Sequence, residues 1–212
     1  MRVLVTGAAG FVGAALLRSL VRDSETTSLT LVDLVRHPLA EASERMRWIS
    51  GGLDEPAILD EIFVERFDIA FHLASVPGGL AERDRTLGRS VNLDATLNLF
   101  DRLADAGGRP RVVYASSVAV YGEMAGEPVG PRTPARPVIT YGAHKRMVEI
   151  ALADLSRRGE ISGIALRLPG IVARPGSSAG FGSAFMSDLL RSAAKGEPYV
   201  CPVSPDVCRR RN

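Results

Sequence analysis

The chain begins with a short apolar strand that leads directly into three glycines spaced three residues apart. Gly7, Gly10 and Gly13 follow this strand, and an amphipathic helix begins near Phe11. The first glycine permits a sharp exit from the strand, the second lets the backbone approach a pyrophosphate, and the third lets the helix pack closely. The free N–H groups and positive dipole end of the helix would face that pyrophosphate. The pattern predicts a dinucleotide-binding turn, with a plain strand-to-helix connection as the alternative.

A carboxylate ends the next apolar run. Leu29-Thr-Leu-Val-Asp33 is typical of a second buried strand, and Asp33 follows the glycines by about 20 residues, as the dinucleotide fingerprint requires. A carboxylate there accepts hydrogen bonds from both ribose hydroxyls and repels a 2′-phosphate, so NAD is favoured over NADP. Arg36 could instead reach such a phosphate, and an aspartate at a strand end is also a common turn or cap residue.

Strand and helix patterns alternate along the rest of the chain. Further strands are predicted at residues 46–50, 68–74, 111–117 and 163–168, and helices at about 56–63, 84–106 and 140–158. Strands that are apolar on both faces and joined by helices predict an α/β fold with a doubly wound parallel sheet. Ligands of such sheets bind beyond the carboxyl ends of the strands. Asp33, Ser75, Ser117 and Pro169 all fall there.

A phenol and an ammonium lie four residues apart in Tyr141-Gly-Ala-His-Lys145, and hence on one face of the predicted helix. The positive charge favours the phenolate and lowers the pKa of the tyrosine from about 10, which makes Tyr141 a candidate general base. A loop long enough to be functional separates this pair from a strand ending in Ser116 and Ser117. Ser117 could then hydrogen-bond the reacting oxygen while Tyr141 takes its proton. The same spacing also occurs by chance.

Two polar residues in apolar surroundings have structural interpretations as well. His72 lies inside a buried strand, where a core histidine with satisfied hydrogen bonds is more common than a catalytic one. Asn92 lies in the long predicted helix beside an apolar stripe, so an amide on the helix surface is its alternative. We expect the stripe to consist of Leu93, Leu97, Phe100 and Ala104.

The composition is that of an ordinary globular protein. The 212 residues suit one α/β domain with a small appendage, and the net charge of +2 gives no reason to expect nucleic acid as a partner. The sequence contains no apolar run of membrane-spanning length, and the first strand leaves no room for a signal peptide, so a cytoplasmic location is expected. Cys201 and Cys208 lack a metal-ligand spacing. Free thiols and no metal site are therefore expected.

Taken together, the motifs resemble the extended short-chain dehydrogenase/reductases of the NAD-dependent epimerase/dehydratase family. The resemblance covers nearly the whole chain, in the order Gly7-Ala-Ala-Gly-Phe-Val-Gly13, Asp33, His72-Leu-Ala74, Asn92, Ser116-Ser-Val-Ala-Val-Tyr-Gly122, Tyr141 to Lys145, and Arg167-Leu-Pro169. Within that superfamily, residues 168–176 and 194–203 are most similar to the D-erythronate dehydrogenases. Those enzymes use NAD to oxidise the 2-hydroxyl of a four-carbon sugar acid.

The resemblance implies a role for each matching residue. Tyr141 would be the acid/base, Lys145 would hold the nicotinamide ribose and tune Tyr141, and Ser117 would meet the substrate oxygen. Ser116 would touch substrate or core. By its position just past the sixth strand, and not by the resemblance, Arg174 is the candidate cation for a substrate carboxylate, with a structural or solvent-facing arginine as the alternative. The expected cofactor contacts also include Gly7, Gly10, Phe11, Val12, Gly13, Asp33, Leu53, Leu73, Ala74, Ser75, Asn92 and Pro169. Asn92 would brace the active-site strand and helix.

Two features depart from the family pattern. Many relatives carry an acidic residue for the adenine where this chain has Gly52, which leaves the backbone of Leu53 as the candidate contact. Relatives also usually continue for about a hundred more residues. We therefore expect residues 1–170 to form an NAD-binding domain and residues 171–212 to be the start of a substrate-binding region with a truncated tail. The basic residues 209–211 could contact nucleic acid, but a solvated end is expected.

The expected function is NAD-dependent oxidation of the 2-hydroxyl of a small sugar acid such as D-erythronate to the 2-oxo acid. A nucleotide-sugar epimerase or dehydratase that retains NAD is one alternative. A catalytically silent NAD-binding remnant is a second, and a redox-sensing regulator a third. Because relatives often dimerise through the long helix and the Tyr141 helix, the resemblance also implies a homodimer.

Overall fold

The computed structural model describes residues 1–36, 44–123, 128–170 and 184–202. Within these ranges six strands form one sheet in the order β3-β2-β1-β4-β5-β6, and every neighbouring pair is parallel. The strands are β1 (Arg2–Thr6), β2 (Ser28–Asp33), β3 (Met46–Ser50), β4 (Ile69–His72), β5 (Arg111–Ser117) and β6 (Ser162–Leu168). The predicted doubly wound α/β fold is confirmed. Its strand order reverses between β1 and β4, which is where such sheets bind ligands.

Helices form most of the connections between the strands. They are α1 (Phe11–Leu20), α2 (Pro56–Ile62), α3 (Gly78–Arg83), α4 (Arg85–Arg89), a π-helical turn (Ser90–Asp94), α5 (Ala95–Asp105), a 3₁₀ turn (Val118–Tyr121), α6 (Thr140–Arg157) and α7 (Ala184–Lys195). Pro56 begins α2, where its fixed φ suits the first helical turn. In the part of the chain that the structure describes, no helix combines the length and apolar character that a membrane span requires.

Two apolar clusters pack against the sheet because the side chains of a strand alternate between its faces. One cluster joins α2, α5 and α6 to the sheet, through residues such as Leu59, Leu99 and Leu152. The other joins α1 to β1 and β2 through Leu17 and its neighbours. Burying each such side chain stabilises the fold by about 1.5–3 kcal/mol, so the clusters fix the helices that carry the site.

The long helix predicted at residues 84–106 is not a single α-helix. Asp84 caps α4 by accepting a hydrogen bond from the Leu87 N–H at 2.9 Å. The π-helical turn then holds one extra residue, which rotates the residues that follow relative to an uninterrupted α-helix. Leu99 and Leu103 are fully buried, whereas the expected Leu97 is only partly buried. Leu97 nevertheless packs against the core, as predicted, and the predicted stripe omitted Leu99 and Leu103.

The sixth strand also differs from the expectation of strands buried on both faces. Ile164 and Leu166 of β6 are both exposed, while Gly163 faces Leu152 of α6. The strand is at one edge of the sheet, and one of its faces is left open within the described ranges.

Candidate active site

The glycine turn leaves no room for side chains. Gly7 has a φ of +72°, and a Cβ placed on it would lie 2.6 Å from the backbone nitrogen of Ala74. A Cβ on Gly13 would lie 2.2 Å from the carbonyl oxygen of Gly7, and one on Gly10 would lie 3.2 Å from the same oxygen. The turn after β1 thus contacts the loop after β4, and both lie at the carboxyl edge of the sheet.

The start of α1 offers hydrogen-bond donors beside this turn. The first N–H to bond four residues back within the helix is that of Ala14, which donates to the Gly10 carbonyl at 2.8 Å. The N–H groups of Phe11, Val12 and Gly13 precede it, and groups at this position together with the helix dipole favour an anion. A glycine cradle followed by such donors fits the diphosphate of a dinucleotide.

Asp33 ties β2 to the glycine turn. Its Oδ2 accepts a hydrogen bond from the Ala9 N–H at 2.9 Å, and its Oδ1 accepts one from the N–H of Leu34 at 2.7 Å. The carboxylate therefore has the turn-stabilising role considered as an alternative. It also lies at the end of β2 beside the turn, so its contact with a ribose stays a prediction. Arg36 is exposed nearby.

Asn92 shapes the loop after β4. This residue of the π-helical turn is 1% exposed, which excludes the alternative of an amide on the helix surface. Its Oδ1 accepts hydrogen bonds from the Val76 N–H at 2.7 Å and from the Ser75 hydroxyl at 3.1 Å, and its Nδ2 donates to the Val76 carbonyl at 3.0 Å. Asn92 thus braces Ser75, while Leu73 continues the strand through its N–H to the Thr6 carbonyl at 3.0 Å.

His72 is a core residue, as its position in the strand indicated. Its Nδ1 lies 2.7 Å from the Thr6 hydroxyl oxygen and its Nε2 lies 2.9 Å from that of Thr96. The imidazole stacks on the Tyr114 ring, with 5.7 Å between ring centroids. Burial, assisted by the charge of Lys145, lowers the pKa of His72 to about 3. The imidazole is therefore neutral at physiological pH and makes only structural contacts.

Lys145 lies at the centre of the candidate site. Its Nζ lies 5.4 Å from the centroid of the Tyr141 ring and 4.8 Å from that of the Tyr114 ring, and it donates a hydrogen bond to the Ala115 carbonyl at 2.8 Å. The side chain is fully enclosed, and burial lowers the pKa of Lys145 from 10.5 to about 7. Helix α6 begins at Thr140, so Tyr141 lies in its first turn and Lys145 one turn later.

Ser117 and Ser116 lie at the end of β5 with different partners. Ser117 caps the 3₁₀ turn, since its Oγ accepts a hydrogen bond from the Ala119 N–H at 3.1 Å. Ser116 is buried and donates its hydroxyl to Glu149 Oε1 at 2.6 Å. Glu149 was not among the predicted site residues. Its spacing of four residues from Lys145, which repeats the spacing of Tyr141 and Lys145, was the signal that could have found it.

The remaining predicted site residues lie in different surroundings. The Leu53 side chain is buried in the apolar core, so only its backbone is available to a ligand. Pro169 is exposed directly after β6, and Arg174 lies outside the described residues. Cys201 is exposed with a free thiol, and Cys208 lies outside the described ranges. Among the described residues no cluster of three His, Cys, Asp or Glu side chains has a metal-binding arrangement.

Comparisons with known proteins identify the family. The sequence pattern of the "NAD dependent epimerase/dehydratase family" matches residues 3–209. The chain belongs to this family. The predicted family and its cofactor, NAD, are thereby confirmed. Among curated relatives, the D-erythronate dehydrogenase of Cupriavidus necator is 40% identical over 98% of this chain and 66% of its own length. The chain thus spans just under two thirds of that relative.

Solved structures of the same fold agree with this assignment. A nucleoside-diphosphate-sugar epimerase from Agrobacterium tumefaciens is 36% identical and superposes with a TM-score of 0.87, over 96% of this chain and 63% of its own. A UDP-glucose 4-epimerase from Thermus thermophilus, solved in complex with NAD, is 26% identical with a TM-score of 0.80, over 94% of this chain and 64% of its own. Names in the family therefore include both dehydrogenases and epimerases.

Replacing Gly13 with alanine should weaken NAD binding. The new Cβ would collide with the backbone of Gly7 and Ala8, so the turn that we expect to hold the diphosphate must shift. We expect the Kd for NAD, measured by isothermal titration calorimetry, to rise at least about tenfold, equivalent to roughly 1.4 kcal/mol. Gly130→Ala is the control, because nothing lies within 4 Å of a Cβ at that position. Equal affinities in the two variants would contradict the assignment of the turn.

Lys145 should titrate near neutral pH. The sequence contains two lysines, Lys145 and Lys195, so protein labelled with ¹³C only at the lysine Cε gives two signals, and Lys195→Arg assigns them. We expect the Lys145 signal to titrate with a midpoint of about 7, because burial disfavours its charged form.

The same shift should appear in stability. Because the unfolded chain binds the Lys145 proton up to a higher pH than the folded chain, the free energy of unfolding should rise between about pH 7 and 10.5. Urea denaturation of Lys145→Met should lack this rise, whereas Lys195→Met, which alters an exposed lysine, should keep it. An identical pH dependence in Lys145→Met would show that the ammonium is not desolvated.

Proposed function

We propose that this chain contains the nucleotide-binding and proton-transfer parts of an NAD-dependent dehydrogenase. Its substrate would be a small sugar acid such as D-erythronate, oxidised at the 2-hydroxyl to the 2-oxo acid. The observation that carries the proposal is the buried Lys145 ammonium beside the Tyr141 ring, next to a strand that ends in Ser117. The similarity to a D-erythronate dehydrogenase, at 40% identity, supports this choice of substrate.

In this proposal Tyr141 removes the proton from the substrate hydroxyl. Lys145 stabilises the phenolate through its positive charge, and its pKa of about 7 keeps a substantial fraction charged near neutral pH. The Ser117 hydroxyl holds the reacting oxygen, since a group already positioned at a strand end costs little entropy to align. Bound NAD would supply the acceptor for the hydride that leaves the carbinol carbon.

The remaining predicted contacts complete the proposed site. We assign the diphosphate to the glycine turn and to the N–H groups of Phe11 and Val12, and the adenosine ribose to Asp33. The path to the nicotinamide would be lined by Leu73, Ala74, Ser75 and Pro169, with the Leu53 backbone at the adenine. For Ser116 we propose the core role, because its hydroxyl is directed to Glu149. Arg174 is proposed as the partner of the substrate carboxylate from its charge and its place in the sequence.

The domain assignment is likewise a proposal. Residues 1–170 would form the NAD-binding domain, since they contain all six strands and the elements that surround Lys145. Residues 171–212 would begin the substrate-binding region. The chain covers 66% of the length of the Cupriavidus necator relative, and the choice of substrate would depend on residues beyond those of the sheet.

Removing the Tyr141 hydroxyl tests the proposed proton transfer. Wild-type protein given D-erythronate and NAD should form NADH, and Tyr141→Phe should lower kcat by about 10²–10⁴-fold, the usual contribution of a general base. Its affinity for NAD should be unchanged, because only the hydroxyl is lost. Val64→Ala is the control, since Val64 is exposed in the loop that leads into the amino end of β4, at the edge of the sheet opposite the site. Unchanged turnover in Tyr141→Phe would rule out this residue as the base.

The same assay separates the alternatives. The similarity to a nucleoside-diphosphate-sugar epimerase favours an epimerase as the second candidate. An epimerase returns the hydride to its substrate, so it would convert a nucleotide sugar without accumulating NADH. A silent remnant would bind NAD and convert neither substrate class.

We also propose that the chain forms a homodimer through α6. Met147 and Ile150 lie one turn apart on this helix and are 43% and 55% exposed. A pair of large apolar side chains on one helix face favours association with a similar surface. Ile150→Glu should convert a dimer into a monomer in sedimentation equilibrium, whereas Val64→Glu, at another exposed apolar position, should leave the dimer intact. A wild-type protein that sediments as a monomer would contradict this proposal.

A further inference from the structure

An ionic cluster built on one buried carboxylate and two partly exposed arginines lies beside the candidate active site, and none of the steps proposed above uses it. At its centre is Glu149 of α6, whose side chain is 5% exposed. The carboxylate accepts hydrogen bonds from Ser116 Oγ at 2.6 Å, from Arg167 Nε at 2.9 Å and Nη2 at 2.8 Å, and from Arg146 Nη1 at 3.0 Å. These donors come from β5, β6 and α6.

The charge of Glu149 is retained in the interior. Burial alone would raise the pKa of Glu149, but the hydrogen bonds from Arg167, Ser116 and Arg146 outweigh it and hold the pKa below its ordinary value. The two bonds from Arg167 form a bidentate pair, which restricts orientation as well as distance. Such a pair adds little net stability, because the cost of removing two charges from water offsets their attraction. Its main effect is therefore geometric.

The cluster fixes the register of α6 against β5. Lys145 and Glu149 lie one turn apart on α6, and they bind consecutive residues of β5: Lys145 donates to the Ala115 carbonyl, and Glu149 accepts from the Ser116 hydroxyl. The next residue of β5 is Ser117. A shift of Glu149 along the strand would therefore move Lys145 relative to Ser117.

The cluster also reaches the turn that follows β5. The guanidinium of Arg167 lies 4.7 Å from the centroid of the Tyr121 ring, so it stacks on this ring while it binds Glu149. Tyr121 ends the 3₁₀ turn that Ser117 caps. Ser116, just before Ser117, thus bonds to the Glu149 carboxylate directly, and Tyr121, after Ser117, contacts it through Arg167.

We propose that Glu149 is a positioning residue of the active site. Its carboxylate, held by Ser116 and Arg167, fixes α6 against the carboxyl ends of β5 and β6 and thereby sets Tyr141 and Lys145 relative to Ser117. The inference rests on the proposed function, because it assigns the positioned groups the roles given above.

Glu149→Gln tests this proposal. The amide keeps the size of the side chain but loses the charge, and its nitrogen cannot accept a hydrogen bond from Arg167. We expect kcat to fall about 10–100-fold, because small displacements of catalytic groups are costly, while the KM for the sugar acid stays unchanged. Glu160→Gln is the matched control, since Glu160 pairs with the exposed Arg158 away from the site.

Ser116→Ala gives an independent test should Glu149→Gln fold poorly. It removes one donor to the cluster and leaves the pair of Glu149 and Arg167 in place, so a smaller loss of kcat is expected. In the double variant with Glu149→Gln the two losses should not add, because both act through the same contact. Full additivity, or a wild-type kcat in Ser116→Ala, would count against the coupling.

NADH affinity, measured by the fluorescence of the bound nucleotide, separates this inference from the proposed function. If the wild-type chain oxidises a substrate, the kcat of Glu149→Gln relative to that of the wild type tests the inference. If it binds NADH but oxidises nothing, the proposed function fails, and a roughly tenfold weaker NADH affinity in Glu149→Gln would still support the positioning of Lys145. A Glu149→Gln variant with a lower melting temperature but wild-type kcat and NADH affinity would overturn the proposal, because Glu149 would then act on stability alone.

Discussion

The enclosed ammonium of Lys145 is the constraint on which the rest of the site depends. A buried lysine loses most of its hydration, and the hydrogen bond to the Ala115 carbonyl together with two aromatic rings compensates only part of that loss. The charge is therefore easily removed, as the pKa of about 7 indicates. Little water surrounds Lys145, so its attraction to a second charged group, such as a phenolate at Tyr141, would be only weakly screened.

The fold creates this environment through its topology. Six parallel strands place their carboxyl ends at one edge, so the glycine turn, the loop after β4 and the end of β5 lie side by side. The glycines allow the first two to touch, and Asn92 holds the loop after β4 from the helix side. The proposed cofactor cradle and the proposed proton-transfer residues thus belong to one edge of the sheet, so the proposed binding and chemistry take place side by side.

Much of the fold could be predicted because local signals agree with it. The apolar strands, the glycine turn and the spacing of Tyr141 and Lys145 are short-range patterns, and the strand at Arg111–Ser117 was predicted with its observed bounds. The π-helical turn could not be predicted in this way, because the hydrogen bonds that Asn92 and Thr96 make around it join residues distant in sequence, in β4 and the loop after it. Helical periodicity alone carries no trace of those long-range contacts.

The ionic cluster was missed for a related reason. A glutamate on a helix is usually read as a solvated surface residue, and only the packing of three elements shows that Glu149 is buried. The two serines at the end of β5 also have different hydrogen-bond partners. Side chains alternate between the faces of a strand, so Ser116 faces the interior and bonds to Glu149, whereas Ser117 bonds to the turn that follows. Sequence spacing brings such residues to attention, and packing decides what each one contacts.

A crystal structure of this chain with bound NAD would test the proposed site in one experiment. We expect the diphosphate against the N–H groups of Phe11 and Val12, Lys145 within hydrogen-bonding distance of the nicotinamide ribose, and the nicotinamide ring facing the Tyr141 hydroxyl. A nucleotide bound elsewhere on the protein, or a nicotinamide ring turned away from Tyr141, would contradict it.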